Sequence, residues 1–163
     1  MSFLDFAVET IDGKHVKLSE FQAKAYLVVN TASRCVYTEQ YAALELLFQE
    51  FHSQGLMVLG FPCNQFGAQE PEGNLVIGEF CQRNYGVSFP MFAKIEVNGE
   101  RAHPLFQFLK QSAPGILGSQ SIKWNFTKFL LASDGSNIQR FAPQTDPSRL
   151  RSAISKLLHN ASN

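Results

Sequence analysis

A strand, a helix and a second strand follow one another between residues 26 and 61, and this succession constrains the fold more than any other feature of the chain. Residues 27–29 form a short apolar run rich in valine, which predicts a strand. A helix is predicted by apolar residues spaced three or four apart, namely Tyr41, Leu44, Leu47, Phe48 and Phe51. Residues 56–61 predict the second strand, which Pro62 ends. Strands joined by a helix in this way lie parallel, with a right-handed crossover.

Polar loops follow both strands, at residues 30–35 and 62–70. The carboxyl ends of parallel strands meet at one edge of a sheet, where ligands bind in α/β proteins. Thr38 is expected to cap the helix, which places Cys35 at or just before the first helical turn. Free backbone N–H groups and the helix dipole favour a thiolate there, so Cys35 is a candidate nucleophile. The plainer alternative is a buried cysteine that acts as a small hydrophobic residue.

Two hairpins are predicted, one before this unit and one after it. Asp12-Gly13 and Asp134-Gly135 are turn sequences between short apolar runs, so residues 3–17 and 129–142 are each expected to form a pair of antiparallel strands.

Three further helices complete the prediction. One, capped by Asn74, is expected to run to Tyr85, and Pro104 and Pro147 mark the starts of the other two. The inward side chains of the first are expected to be Leu75, Val76, Phe80 and Tyr85. The pattern predicts one α/β domain over residues 1–163 with a thioredoxin-like fold, in which helices flank a mixed central sheet and a β-hairpin precedes it.

The composition argues against several classes of function. The 163 residues carry 14 basic and 14 acidic side chains and no basic run longer than two, so neither a nucleic-acid nor an anionic-membrane surface is expected. No apolar run approaches the roughly 20 residues that cross a bilayer. The cysteine count of three is odd, and residues 1–13 lack the basic start and apolar core of a signal peptide. We therefore expect a cytoplasmic protein with reduced thiols.

The spacing of the cysteines argues against a metal site and against simple disulfide exchange. Residues 35–38 read Cys-Val-Tyr-Thr, so the second cysteine of a thioredoxin-type motif is missing. Successive cysteines lie 28 and 18 residues apart, without a histidine beside them, which is unlike a zinc site. No glycine-rich phosphate loop is present. We expect neither a metal nor an organic cofactor.

Three motifs resemble those of one enzyme family. Residues 30–38, NTASRCVYT, look like the NVASKCGFT motif of glutathione peroxidases. Residues 61–71, FPCNQFGAQEP, and 123–130, KWNFTKFL, match that family's second and third motifs in the same order. The resemblance implies that Cys35 is the peroxidatic residue, standing where some relatives carry selenocysteine. It also implies a catalytic tetrad completed by Gln69, Trp124 and Asn125.

The chemistry of these residues suits cleavage of an O–O bond. The nucleophile must be a thiolate in an open pocket, with donors that stabilise it and the developing alkoxide. The amides of Gln69 and Asn125 and the indole N–H of Trp124 are neutral donors, which hold an anion without trapping it. Outside the motifs, a loop amide is usually solvated and a lone tryptophan usually lies in the core. Arg34 is expected to contribute little, because solvent screens an exposed charge.

A sulfenic acid on Cys35 must be resolved by a second thiol, and two cysteines qualify. Chain topology favours Cys63, which follows the strand next to Cys35. The resemblance favours Cys81, because residues 79–90, EFCQRNYGVSFP, look like the segment that holds the resolving cysteine in thioredoxin-dependent members. We choose Cys81, assign Cys63 to packing, and expect the helix around Cys81 to unwind in part when the disulfide forms.

Departures from the family pattern bear on substrate and partner. Thr31 and Val36 stand where the family usually has valine and glycine, and Val36 is expected to narrow the pocket or to shift substrate preference. The short stretch 110–124 resembles that of monomeric members. The resemblance, together with the lack of a basic cluster for glutathione, favours thioredoxin as the reductant and leaves glutathione as the alternative.

These inferences predict a thiol peroxidase. Its expected substrates are hydrogen peroxide and organic or lipid hydroperoxides, which it reduces to water or alcohols through a sulfenic acid and an intramolecular disulfide. The alternative is a thiol-based redox sensor that uses Cys35 and Cys81 to relay oxidation to a partner protein.

Overall fold

The computed structural model describes residues 2–161 and has two sheets, a central one of four strands and a separate one of two. The strands are β1 (Ala7–Glu9), β2 (His15–Lys17), β3 (Ala25–Thr31), β4 (Leu56–Pro62), β5 (Lys128–Ala132) and β6 (Gln139–Phe141). The helices are α1 (Gln40–Phe51), α2 (Asn74–Tyr85), α3 (Pro104–Ser112) and α4 (Arg151–Ala161). Within this described part, no helix has the length and apolar character that crossing a membrane requires.

The central sheet is mixed and has the strand order β4-β3-β5-β6. β3 pairs in parallel with β4 and antiparallel with β5, and β6 runs antiparallel to β5. All seven residues of β3 are buried, because helices cover both faces of this central strand. The strand–helix–strand unit, the mixed sheet and the N-terminal β1–β2 hairpin confirm the predicted architecture.

Two hydrophobic layers pack on opposite faces of this sheet. Successive β3 residues alternate between them, with Leu27 and Val29 in the first layer and Tyr26 and Val28 in the second. Helices α1, α2 and α4 cover the first layer, and α3 covers the second. Odd-numbered and even-numbered residues of β3 therefore pack into different layers.

Helix α1 begins later than the sequence predicts. Its first residue is Gln40, and Cys35 lies in a bend that is followed by a turn over residues 36–39. Thr38 does not cap the helix as expected. Its hydroxyl accepts a hydrogen bond from the Cys35 N–H at 2.8 Å and donates one to the Ala32 carbonyl at 2.9 Å. Thr38 therefore bonds within the loop and does not cap the helix, and Cys35 lies five residues before Gln40, where α1 begins.

The inward face of α2 also differs from the prediction. Leu75 and Val76 are 77% and 47% exposed, whereas Ile77 and Cys81 are buried. The cap also differs from the prediction: Gly73 holds that position, and the Asn74 side chain accepts a hydrogen bond from the Lys94 N–H at 2.9 Å. Residues four apart share a helix face, so Ile77 and Cys81 define the buried stripe. The end of the helix at Gly86 is as predicted.

One edge of the central sheet gathers the three motifs. Thr31, at the carboxyl end of β3, pairs with Pro62, at the carboxyl end of β4. Val29 of β3 pairs with Lys128, the first residue of β5. The loops that follow β3 and β4 and the segment that precedes β5 therefore all leave the sheet at the same edge, as the parallel unit predicts for the first two.

Candidate active site

The loop that carries Cys35 is closed by its own hydrogen bonds. The Cys35 Sγ is half-buried and accepts a hydrogen bond from the Tyr37 N–H at 3.4 Å. The Thr38 N–H donates to the Cys35 carbonyl at 3.0 Å, and the Thr38 hydroxyl accepts from the Cys35 N–H. The sulfur therefore faces a backbone donor and remains partly open to solvent, which leaves it accessible to a substrate.

The second motif is joined to this loop beside the cysteine. The Arg34 N–H donates to the Gln69 carbonyl at 3.0 Å, and the Arg34 guanidinium donates to Glu72 Oε1 at 2.8 Å. The side chains of that ion pair are 63% and 42% exposed, so it adds little stability. The backbone bond is the more important link, because it sets Gln69 next to the residue that precedes Cys35.

The third motif is held to the end of β3 by Asn30, a buried residue to which sequence analysis gave no role. Its side chain donates to the Trp124 carbonyl at 3.2 Å and accepts from the Thr127 N–H at 3.2 Å. The Asn30 carbonyl accepts from the Phe126 N–H at 2.6 Å. Phe126 has a φ of 65°, which is uncommon for a bulky residue and marks a tight turn directly after Asn125. Asn30 thereby orients both Trp124 and Asn125.

The predicted donors meet each other at this edge. Asn125 Nδ2 donates to Gln69 Oε1 at 3.1 Å, and Asn125 is fully buried. Trp124 is half-buried and packs against Phe66, with ring centroids 5.7 Å apart. Gly67 lies beneath the indole, where an added Cβ would come within 3.3 Å of it, and its φ of 65° also favours glycine. The structure thus brings Gln69, Trp124 and Asn125 together, and Arg34 connects them to Cys35.

Glu70 is a buried carboxylate that the sequence did not single out. It is fully buried, and its Oε1 accepts a hydrogen bond from the Ser33 hydroxyl. The Glu70 N–H donates to Asn64 Oδ1 at 3.0 Å. Burial raises the pKa of Glu70, and the hydrogen bond from Ser33 and the charge of Lys94 oppose that rise. A glutamate beside a proline in a polar loop gives no signal of burial, which is why pattern analysis missed it.

Cys81 lies inside α2 and belongs to the same hydrophobic layer as Cys35. Its side chain is 1% exposed, and Cys35 packs at the border of that layer. Burial raises the pKa of the Cys81 thiol to about 11, although the neighbouring Tyr41 hydroxyl opposes the shift. Cys81 is therefore a protonated, shielded thiol when α2 is intact.

Cys63 lies in the other layer, across the sheet from Cys35. It is fully buried among second-layer residues, and its thiol points to Gln65 Oε1 at 3.6 Å. Burial raises its pKa as well. Chain topology favoured Cys63 because it follows the strand next to Cys35. That argument did not consider on which face of the sheet the side chain lies. All three cysteines are free thiols.

Metal ligands are not gathered anywhere in residues 2–161. No group of three or more histidine, cysteine, aspartate or glutamate side chains there has the arrangement that holds a metal ion.

Comparison with known proteins identifies the family. The sequence model of the glutathione peroxidase family matches residues 3–110. The chain belongs to the glutathione peroxidase family. Like other members of that family it is a peroxidase, and the prediction of a thiol peroxidase that reduces hydroperoxides is confirmed.

Relatives and solved structures cover nearly the whole chain. A glutathione peroxidase of Lactococcus lactis is 53% identical over 97% of this chain and 100% of its own. A hydroperoxy fatty acid reductase of Synechocystis is 48% identical over 94% of both chains. The crystal structure of Trgpx in apo form has a TM-score of 0.80 at 41% identity and covers 98% of this chain and 96% of its own. The thioredoxin-like fold that the pattern of strands and helices predicted is thereby confirmed for this member of the glutathione peroxidase family.

Proposed function

We propose that Cys35 is the peroxidatic residue of this peroxidase and that Gln69, Trp124 and Asn125 are the donors that assist it. The observation that carries the proposal is the hydrogen bond between Asn125 and Gln69, beside the Cys35 loop. Side-chain amides from two distant segments, paired at the edge where the cysteine lies, are suited to receiving developing negative charge.

The reaction begins when the Cys35 thiolate attacks the terminal oxygen of a hydroperoxide. The S–O bond forms as the O–O bond breaks, so the sulfur is oxidised to a sulfenic acid and the peroxide is reduced. The departing alkoxide takes a proton and leaves as an alcohol, or as water when the substrate is hydrogen peroxide. Lipid hydroperoxides are included among the substrates because the Synechocystis relative is a hydroperoxy fatty acid reductase.

In the second half of the cycle, Cys81 attacks the sulfenic acid. Its thiol loses a proton, the S–S bond forms, and the sulfenic oxygen leaves as water. Cys81 shares a layer with Cys35, which supports it over Cys63 as the resolving residue. Because Cys81 is buried in the interior of α2, that helix must open in part before the two sulfurs meet. Of its residues, Ile77 and Cys81 are buried and Phe80 and Tyr85 are partly buried against the first layer, so opening gives up the contacts of one narrow face of the helix.

The rest of the proposal concerns the protein's surroundings. Thioredoxin reduces the disulfide by thiol exchange, and glutathione is the alternative reductant. The chain acts as one domain and as a monomer, as its short 110–124 segment suggests. It works in the cytoplasm, because the cycle requires thiols that are kept reduced at rest.

Steady-state turnover tests this proposal directly. Consumption of NADPH should be followed with hydrogen peroxide, thioredoxin and thioredoxin reductase, and compared with glutathione and glutathione reductase. Cys35→Ser should abolish turnover, Cys81→Ser should leave one round of peroxide reduction without recycling, and Cys63→Ser should turn over normally. Loss of recycling in Cys63→Ser, with Cys81→Ser intact, would reverse the assignment of the resolving residue. Stoichiometric oxidation without turnover by either reductant would favour a redox sensor.

A further inference from the structure

A cleft opens at the sheet edge that carries the proposed active site. It lies between the turn at residues 114–116, the side chains of Lys123 and Thr127, and Ala142-Pro143, and it has a volume of about 320 Å³. We refer to it as the edge cleft. Lys123 and Thr127 flank Trp124 and Asn125 in the chain, and the Pro143 carbonyl accepts a hydrogen bond at 2.7 Å from the side chain of Gln40, the first residue of α1. The edge cleft therefore lies next to segments that carry the proposed site, and its volume lies within the range of small-molecule pockets.

The outer wall of the edge cleft is fixed by Arg140. Its guanidinium lies over the Phe129 ring, 5.3 Å from the centroid. It also donates hydrogen bonds to the carbonyls of Ala113, Ser119, Gln120 and Ser121 at 2.8 to 3.4 Å. These contacts hold the 113–121 segment against the sheet, so the wall is part of the folded structure. They also use the hydrogen-bonding capacity of Arg140 on backbone carbonyls.

The surface of the edge cleft is mainly aliphatic. Its lining includes Pro114, Ile116, Ala142 and Pro143, together with the hydroxyl-bearing residues Ser121 and Thr127. Ile116 is 87% exposed and its neighbour Leu117 is fully exposed, at a φ of 57° that non-glycine residues rarely adopt. Exposed aliphatic side chains beside an apolar concavity indicate a surface that binds an apolar group.

Besides Arg140, whose guanidinium is bound to backbone carbonyls, the edge cleft has a second cation. Lys123 lines the cleft and is exposed, and its Nζ donates to the neutral Ser121 hydroxyl at 2.8 Å. An apolar concavity with a cation at its rim is complementary to a hydrocarbon chain that ends in a carboxylate.

We propose that the edge cleft binds a hydrocarbon arm of a fatty-acid hydroperoxide while its peroxide group reacts at Cys35. This inference rests on the proposed function, because it requires the peroxide to be reduced at the same edge. The shape favours a small molecule over a partner protein, because the aliphatic surface lines a concavity. Hydrogen peroxide has no arm to place there, so the edge cleft should discriminate between the two kinds of substrate.

Substitution of Ile116 tests this directly. Ile116→Glu places a charge at the aliphatic wall, and the exposure of the side chain leaves folding intact. The ratio of kcat/KM for the 13-hydroperoxide of linoleic acid to kcat/KM for hydrogen peroxide should fall about tenfold, as expected for a lost apolar contact. Leu75→Glu is the matched control, because Leu75 is a similarly exposed aliphatic residue on α2, outside the cleft, and this variant should keep the wild-type ratio. An unchanged ratio in Ile116→Glu would overturn the proposal.

A binding measurement separates this inference from the proposed function. Dodecanoate, which has no peroxide group, should change the fluorescence of the sole tryptophan, Trp124, as it fills the cleft. Ile116→Glu and Lys123→Gln should each weaken that titration, whereas Leu75→Glu should not. Absence of dodecanoate binding in a protein that turns over hydrogen peroxide would remove the edge cleft proposal alone. Binding without peroxide turnover would remove the proposed function alone.

Discussion

The side-chain amide of Asn125 donates a 3.1 Å hydrogen bond to the side-chain carbonyl of Gln69, although the two residues lie 56 positions apart in the chain. This bond uses the Gln69 oxygen as its acceptor. The Gln69 NH₂ group therefore points away from Asn125 and can donate to another group. The orientation of one proposed catalytic amide therefore depends on the other.

We expect this dependence to appear in the kinetics of Gln69→Ala, Asn125→Ala and the double variant. Each single change should slow oxidation of Cys35 by about 10²-fold, the usual cost of losing one donor to a developing anion. The double variant should lose less than the product of the two, because the residues act as one unit. Stopped-flow Trp124 fluorescence under single-turnover conditions measures the rate, with the exposed Gln111→Ala as control. Additive losses would show that the two amides act independently.

The three thiols should differ sharply in their rates of alkylation. With a pKa of about 11, the Cys81 thiol is about one part in a thousand thiolate at pH 8, and burial also raises the pKa of Cys63. Iodoacetamide should therefore modify the half-buried Cys35 first. The Cys81 rate should rise about tenfold per pH unit up to about pH 11 while the fold persists. Peptide mass spectrometry identifies the order, and labelling in urea should erase it. Early modification of Cys81 in native reduced protein would contradict the burial argument.

The buried carboxylate of Glu70 should make stability depend on pH. Burial raises its native pKa above the ordinary value of 4.5, so the native state holds a proton that the unfolded state releases. The free energy of unfolding should therefore fall as the pH rises from about 4.5 through the native pKa. Glu70→Gln retains an acceptor for Ser33 but cannot titrate, so it should gain stability relative to wild type across that window. Urea denaturation at about pH 4 and about pH 8 measures the difference, and an equal difference at both values would refute this account.

Lys128 should be important for stability because its hydrogen bonds hold the segment after β6 against the first residue of β5. It is fully buried, and its Nζ donates to the carbonyls of Ala142, Pro143 and Thr145 at 2.5 to 3.1 Å. Burial lowers its pKa to about 7. Lys128→Met keeps the apolar stem and leaves three carbonyls without their donor, which should cost about 3 kcal/mol of unfolding free energy. Thermal denaturation measures the loss, and Lys156→Met, at an exposed position of α4, serves as control. A loss as small as that of the control would show that water replaces the amine.

Much of the fold follows from local patterns in the sequence. The β3–α1–β4 unit, both hairpins and the start of α3 were predicted, because apolar spacing and turn residues act locally. The last helix was predicted from Pro147, where the structure has a 3₁₀ turn, Pro147–Leu150, that leads directly into α4. The errors lie at helix starts. Thr38 and Asn74 both had good capping chemistry, but their side chains bond to the Cys35 loop and to Lys94 instead. A pattern of neighbouring residues cannot predict hydrogen bonds of this kind, because their partners are set by the tertiary structure.

The candidate site was predictable in its composition and only partly in its geometry. The family motifs named Cys35, Gln69, Trp124 and Asn125, and the parallel unit predicted the edge where two of the loops meet. Neither reveals the buried supports, because Asn30 and Glu70 look like ordinary polar loop or strand residues in the sequence. Their roles depend on which residues fold against them, and that is set by the whole sheet.

The central sheet also separates the three cysteine side chains, which lie in two different hydrophobic layers. Cys35 and Cys81 belong to the side covered by α1, α2 and α4, whereas Cys63 is sealed with α3 on the reverse side. The opening of α2 that we propose would therefore involve only the layer that holds Cys35 and Cys81. The α3 layer would keep its contacts with the strands, so reduction of the disulfide would let α2 fold back onto a sheet whose register had not changed.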